Sequence, residues 1–233
     1  MSEMTIPVEP FIPVASSHDR ILASAKRLFA SQGYEATSTM AIARLAGTSE
    51  SQMMKHFGSK EGLLEAILDQ GWKSMGTALA GIIAMPAGTE KLLAMLELVL
   101  NTLNEDPDLK ELFLLEGRRI RREGRHVVLS PGYIDFVRLV DDVLKKMAAA
   151  GTLRPAVSPD AVRSAIMGMA EGMMRDQVLA RRRGEFPADY SDEDFKTLFA
   201  ACLQGVTIKA SKAAPSPRSQ SKAKPRKIAG RKR

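Results

Sequence analysis

The sequence predicts an all-α protein of about nine helices, in which short N-terminal helices precede a longer set. Three observations carry that prediction. Apolar residues return at i, i+3, i+4 and i+7 in one segment after another, the spacing of a single face of a 3.6-residue helix. Asp-Pro or Ser-Pro pairs stand at 106–107, 130–131 and 158–159, where the first side chain can accept a free first-turn amide and proline tolerates the first helical position. No stretch between turn signals alternates apolar and polar residues well enough to argue for a sheet.

Taken in order, Ile21, Leu22, Ala25, Leu28 and Phe29 form one apolar face over 18–31, and Gly33 stops that helix. Short helices follow near 38–46 and 50–56. Leu63, Leu64, Ile67, Leu68, Trp72 and Met75 line a helix over 60–84, about 37 Å long at 1.5 Å per residue. Leu92, Leu93, Leu96, Val99, Leu100 and Leu103 mark 89–104. The three proline pairs open 107–122, 131–150 and 159–182, the second carrying Ile134, Val137, Val140, Val143, Leu144 and Met147. Ser191 followed by Asp192, Glu193 and Asp194 places acids where a helix N-terminus favours them and opens 192–210.

Composition narrows the function classes. With 45% apolar and 26% charged residues in a chain of 233, a fibrous, disulfide-scaffold or membrane protein is excluded. The longest nearly uncharged apolar stretches, such as 78–85, fall short of the ~20 residues of a bilayer span. The first basic residue is Arg20, and Pro7, Pro10 and Pro13 precede it, a layout unlike a secretory signal. A cytoplasmic location follows as an expectation, and the single Cys202 agrees with a reducing compartment.

Charge is unevenly placed. Residues 211–233 hold nine Lys or Arg and no acid. Taking these nine from the 34 basic residues leaves 25 against 27 acids, so the rest of the chain is slightly acidic, although the formal net charge is +7. The expected organisation is a flexible segment at 1–17, a small helical head at 18–63, a larger helical body at 64–210 and a disordered basic tail at 211–233.

The DNA-binding expectation rests on residues 38–57. Ala46-Gly47 ends one short helix with a residue able to take positive φ, and Ser49 opens the next after a tight turn, which is helix-turn-helix grammar. Ser49-Glu50-Ser51-Gln52 fits a capping box, with Ser49 bonding the Gln52 amide and the Gln52 side chain reaching back. Ile42, Leu45, Met53 and Phe57 are predicted to face inward. Glu50, Ser51, Gln52, Met54, Lys55 and His56 then face outward.

Residues 20–68 resemble the tetracycline-repressor (TetR) family of bacterial transcriptional regulators. The matching run is Arg-Ile-Leu-x-x-Ala-x-x-Leu-Phe-x-x-x-Gly-Tyr from Arg20 to Tyr34, then Thr37-Ser38-Thr39, Ile42-Ala43, Ala46-Gly47-Thr48-Ser49, and His56-Phe57-x-Ser59-Lys60-Glu61-x-Leu63-Leu64. The resemblance implies a homodimer that sets two recognition helices in successive major grooves of a palindromic operator, with half-sites about 34 Å apart or a multiple of that. It implies phosphate contacts from Ser38, Thr39, Ser49, His56 and Lys60, and base-edge contacts from Glu50, Ser51, Gln52 and Lys55. Gln suits adenine and Lys suits guanine, although Gln52 cannot fully cap its helix and read a base at once. Met54 stands where the family has a phosphate-contacting tyrosine, which leaves packing and thymine-methyl contact as its alternatives.

For the larger unit the resemblance implies a small-molecule effector whose binding shifts the 60–84 helix as a lever and releases the operator. Candidate pocket residues are Trp72, Met75, Met95, Phe113, Glu116, Met167, Glu171 and Met174, adaptable or apolar groups with two carboxylates among them. The 159–182 and 192–210 helices resemble the family's dimerisation pair, with Gly168, Gly172, Phe195, Phe199 and Cys202 as candidate interface residues.

Other functions are weighed against this one. There is no glycine-rich phosphate loop, no Gly-x-Ser-x-Gly elbow and no metal-ligand cluster, and His18, His56 and His126 lie far apart, so neither an enzyme nor a resident cofactor is expected. A repressor is the expected mode, with an activator, or an architectural DNA-binding protein driven by the basic tail, as alternatives.

Overall fold

The computed structural model describes residues 16–116, 130–183 and 187–208. Among them stand ten α-helices: α1 (Ser17–Gln32), α2 (Thr39–Leu45), α3 (Glu50–Phe57), α4 (Lys60–Ser74), α5 (Gly76–Ile83), α6 (Thr89–Glu105), α7 (Pro107–Glu111), α8 (Pro131–Ala149), α9 (Pro159–Arg183) and α10 (Asp192–Val206). A π-helical turn, Leu112–Glu116, continues α7. None of these helices is long and apolar enough to cross a membrane.

Side-chain caps set most of the helix starts. Ser16, Ser38, Ser49, Ser59, Asp106, Ser130 and Ser191 each accept a hydrogen bond from the backbone amide three residues on. Each such cap contributes about 1 kcal/mol by satisfying a donor that the helix leaves free. Gly33, with φ of 86°, closes α1 and donates its amide to the Phe29 carbonyl.

The core runs through the whole set of helices. Ile21, Ala25 and Phe29 of α1 meet Ile42 of α2, Met53 of α3 and Leu63, Leu64 and Ile67 of α4, and the same apolar cluster continues through α6, α8 and α10. Gly132 lets α8 approach α4 closely, since a Cβ there would lie 2.4 Å from Trp72 Cβ. The result is the architecture expected from the sequence: an N-terminal helix-turn-helix followed by a larger helical domain.

Three expectations about elements are corrected. The 60–84 helix is two helices, because the chain turns at Met75, whose amide bonds Trp72 O, three residues back. Gly76, a poor helix former, follows, and buried Met75 anchors the bend. α4 alone is therefore about 22 Å long rather than about 37 Å. The helix expected over 107–122 is α7 plus the π turn as far as Glu116, and the rest of that range lies outside the described residues.

The last helix ends at Val206 instead of continuing to 210. Thr207 is extended and pairs with Leu153 in an antiparallel bridge, in which Arg154 N donates to Val206 O and Ile208 N donates to Thr152 O, both at 2.9 Å. The β-branched run Val206-Thr207-Ile208 suits that extended pairing. The basic tail at 211–233 and the leading segment at 1–15 also lie outside the described residues.

Candidate nucleic-acid interface and effector cavity

Ile42 and Met53 are fully buried, which fixes α3 against α2 across the turn at Gly47, where φ is 63°. The Arg20 guanidinium donates to the Ala46 carbonyl at 3.1 Å and holds that turn to α1. With its inner side sealed, α3 leaves Glu50, Ser51, Met54, Lys55 and His56 exposed and Gln52 half-exposed. Ser38 and Ser49 are exposed caps, and Thr39 is half-buried.

Several of these side chains hold one another. Thr39 Oγ1 donates to a Glu50 carboxylate oxygen, joining α2 to α3. Gln52 Nε2 lies 3.2 Å from His56 Nε2, and Ser17 Oγ lies 3.2 Å from the same ring nitrogen. The expected capping box at Ser49 is therefore half formed. Ser49 bonds the Gln52 amide, but the Gln52 side chain runs forward along the helix to His56 instead of back. The complete box is at Ser191 and Asp194. Beside this cluster, hydrogen bonds from Ser16 and then His18 hold the Asp19 carboxyl below its ordinary value.

Lys60 is turned inward. Its ammonium donates to the Tyr34 carbonyl at 2.7 Å and the Thr37 carbonyl at 2.9 Å, and it lies 4.3 Å from the Tyr34 ring centroid. It fastens the loop before α2 to the start of α4. Leu45, expected inward, is 49% exposed, because α2 is short and its last turn passes the edge of α3. Met40 at 69% and Met54 at 41% join it as exposed apolar side chains of the head. The sequence signal for Met40 was its position one residue past Thr39 and two before buried Ile42, which turns it away from the core.

A cavity of about 110 Å³ lies between α4, α6, α8 and α9. Six of the eight candidate pocket residues line it: Trp72, Met95, Phe113, Met167, Glu171 and Met174. Met75 does not; it is buried at the α4–α5 bend. Glu116 ends the π turn and is absent from the lining, and its side chain lies outside what is described. The indole of Trp72 anchors an aromatic wall, with ring centroids 5.2 Å from Phe113, 5.0 Å from Phe136 and 5.7 Å from Tyr133. Sequence reasoning missed Phe136 and Tyr133, whose signal was their place on the first turns of the α8 apolar face. Apart from Ser130, Tyr133 and Glu171, the lining is apolar.

The interface candidates divide. Gly168 is exposed on α9 and Gly172 half-exposed, and Cys202 is exposed on α10. Phe195 and Phe199 are buried inside their own chain, and Phe199 lines the cavity, so both are removed from the interface set. α10 turns Leu198, Ala201 and Cys202 outward, so of its three candidates only Cys202 faces away from the chain's own core.

Residues 21–67 match the family model described as bacterial regulatory proteins, tetR family. An uncharacterized HTH-type transcriptional regulator, YvkB of Bacillus subtilis, is 29% identical over 140 residues, covering 59% of this chain and 71% of YvkB. Residues 21–67 are therefore a TetR-type helix-turn-helix domain. A domain of this kind marks a DNA-binding transcriptional regulator and not an enzyme. The fatty acid degradation regulator FadR of Bacillus halodurans has the same fold, with a TM-score of 0.69 at 17% identity, over 83% of this chain and 97% of that one. FadR of Bacillus subtilis in complex with stearoyl-CoA superposes with a TM-score of 0.64 at 19% identity, over 79% and 95%. The TetR sequence match ends within α4, so for the larger unit these superpositions speak to fold alone. Among the described residues no group of three or more His, Cys, Asp or Glu gathers as a metal site would require.

Proposed function

We propose that the protein is a homodimeric repressor that leaves its operator when an acyl-CoA thioester fills the α4–α6–α8–α9 cavity. The observation that carries the DNA half is the exposed side of α3, held rigidly by buried Met53 and Ile42 beside a row of serine caps. Residues 18–63 serve as the reading unit and 64–210 as the effector and dimerisation unit. Ser38, Thr39, Ser49 and His56 face phosphates, while Glu50, Ser51, Gln52, Met54 and Lys55 face base edges, with Met54 contacting a thymine methyl. Lys60 acts by holding the loop ahead of α2, with its ammonium near enough to the surface to share a phosphate.

The lining supports the effector class. Its apolar side chains favour an alkyl chain, and its one charged group, Glu171, disfavours a free carboxylate beside it but tolerates a neutral thioester carbonyl. The names of the superposed FadR regulators point the same way. Gly168, Gly172 and Cys202, with Leu198 in place of the two phenylalanines, supply the face between subunits. Residues 211–233 add nine cations, each phosphate they neutralise steepening the log–log salt dependence of DNA binding by about 0.9.

Selection of duplexes from a randomised library by the full-length protein tests the DNA reading, and a palindromic consensus is expected. Trp72 is the chain's only tryptophan, so its fluorescence reports on the cavity directly. Titration with acyl-CoAs of increasing length, with the matching free fatty acids and with coenzyme A alone should change that fluorescence only for the thioesters, and the same thioesters should release the selected duplex. Equal responses to fatty acid and thioester would reject the effector class.

A further inference from the structure

The forward reach of Gln52 to His56 has a consequence for which base is read. A glutamine amide distinguishes bases only if its two ends are told apart. Adenine needs the carbonyl to accept from N6 and the NH2 to donate to N7, and an amide rotated half a turn offers the reverse pattern. On an exposed helix nothing intrinsic fixes that choice.

Here Gln52 Nε2 is the end directed at His56 Nε2, 3.2 Å away. Two nitrogens at that distance form a hydrogen bond only if the amide donates and the Nε2 lone pair of the imidazole accepts. One amide hydrogen is then committed, leaving the carbonyl oxygen and the second hydrogen, the pair that adenine requires. Among the described residues the Gln52 amide has no other side-chain partner.

The ring itself is braced from outside the recognition helix. The His18 ring, on the first turn of α1, meets the His56 ring edge-on at 5.7 Å, and Ser17 Oγ lies 3.2 Å from the same Nε2, where its hydroxyl can only share the one lone pair with the Gln52 amide. His56 therefore connects the start of α1 to the middle of α3.

We infer that His56 is a positioning residue for base recognition: it fixes the orientation of the Gln52 amide and thereby the base pair that Gln52 accepts. This rests on α3 entering a major groove with Gln52 at base edges, as proposed above. It goes beyond the phosphate contact proposed for His56, which by itself carries no sequence information.

The test uses the full-length protein and duplexes selected from a randomised library by the unaltered chain, with every single base-pair substitution measured by competition. Gln52→Ala is expected to lower discrimination about 5-fold or more at one base pair per half-site, which identifies the pair that Gln52 reads. His56→Ala is expected to lower discrimination at that same pair by a similar factor. His56→Gln, whose amide oxygen can accept at about the reach of Nε2, should restore most of it. In the Gln52→Ala background, His56→Ala should have no further effect at that pair. Equal weakening of all duplexes by His56→Ala, with the Gln52 pair still discriminated, would overturn the inference while leaving Gln52 as a reader. If Gln52→Ala changes no base preference, the base-reading role of Gln52 falls and the inference falls with it.

Discussion

Lys26 of α1 and Asp106 ahead of α7 form an ion pair across 80 positions of sequence, and the other Asp106 carboxylate oxygen accepts the Leu109 amide at 3.0 Å. One carboxylate thus caps α7 and ties it to the first helix of the DNA-binding unit. The two roles add. An ion pair with both partners about a third exposed is worth at most about 1 kcal/mol, and a helix cap about 1 kcal/mol. Asp106→Ala should lower the melting temperature by about 4–8 °C and Lys26→Ala by no more than about half that, given roughly 2–4 °C per kcal/mol for a chain of this size. Equal shifts in calorimetry would show that the cap contributes nothing.

The two lysines of the reading unit should behave differently. Lys55 is exposed on α3, whereas the Lys60 ammonium is held by two backbone carbonyls. Lys55→Ala should change base preference in competition binding with the melting temperature intact. Lys60→Ala should weaken all duplexes alike and lower the melting temperature, since Tyr34 and Thr37 lose their donor. A Lys60→Ala protein as stable as the parent would remove the loop-holding role.

On α10, neighbouring residues should separate folding from association. Leu198 is 47% exposed and Phe199 is buried. Leu198→Asp is expected to give a folded monomer in analytical ultracentrifugation. Phe199→Ala should cost about 3–5 kcal/mol of stability through the core and cavity wall. A dimer that persists unchanged in Leu198→Asp would place the interface elsewhere.

Acid sensitivity should centre on Asp192. Burial alone would raise its carboxyl, but hydrogen bonds from Gln177 at 3.1 Å and Asn104 at 2.6 Å, with the Lys110 and Arg181 charges, outweigh burial and leave it below the ordinary value. A carboxyl lowered by folding contributes stability that is complete above its unfolded value of about 3.9 and is lost as pH falls through the lower folded value. Lys110, buried and bonded to Asn104 at 2.8 Å, shifts down through burial, so it depends on the Asp192 charge nearby. Asp192→Asn should be less stable than the parent in urea at pH 7, and the gap should narrow as the pH is lowered below about 4. A constant gap would assign the loss to packing.

What the sequence carried by itself was local. The caps at Ser49, Asp106, Ser130 and Ser191, the stop at Gly33 and the turn at Gly47 depend on a few neighbouring residues, and the same local order in residues 20–68 matched the TetR pattern. The cavity was largely legible too, since Trp72, Met95, Phe113, Met167, Glu171 and Met174 are adaptable or charged groups on apolar helix faces.

Tertiary structure decided which of two available partners each residue takes. Phe195 and Phe199 have the same periodicity whether they pack within the chain or between chains, and only the closeness of α6 and α9 to α10 sends them inward. Gln52 had a cap and a histidine within reach, and it takes the histidine, whose ring the His18 ring of α1 meets edge-on. The helix begun at Lys60 bends at Met75 because the core takes that side chain, and the chain leaves the helix after Val206 because Leu153 offers Thr207 an extended partner. In each case the competing local energies are about 1 kcal/mol, small enough for a single distant contact to choose between them.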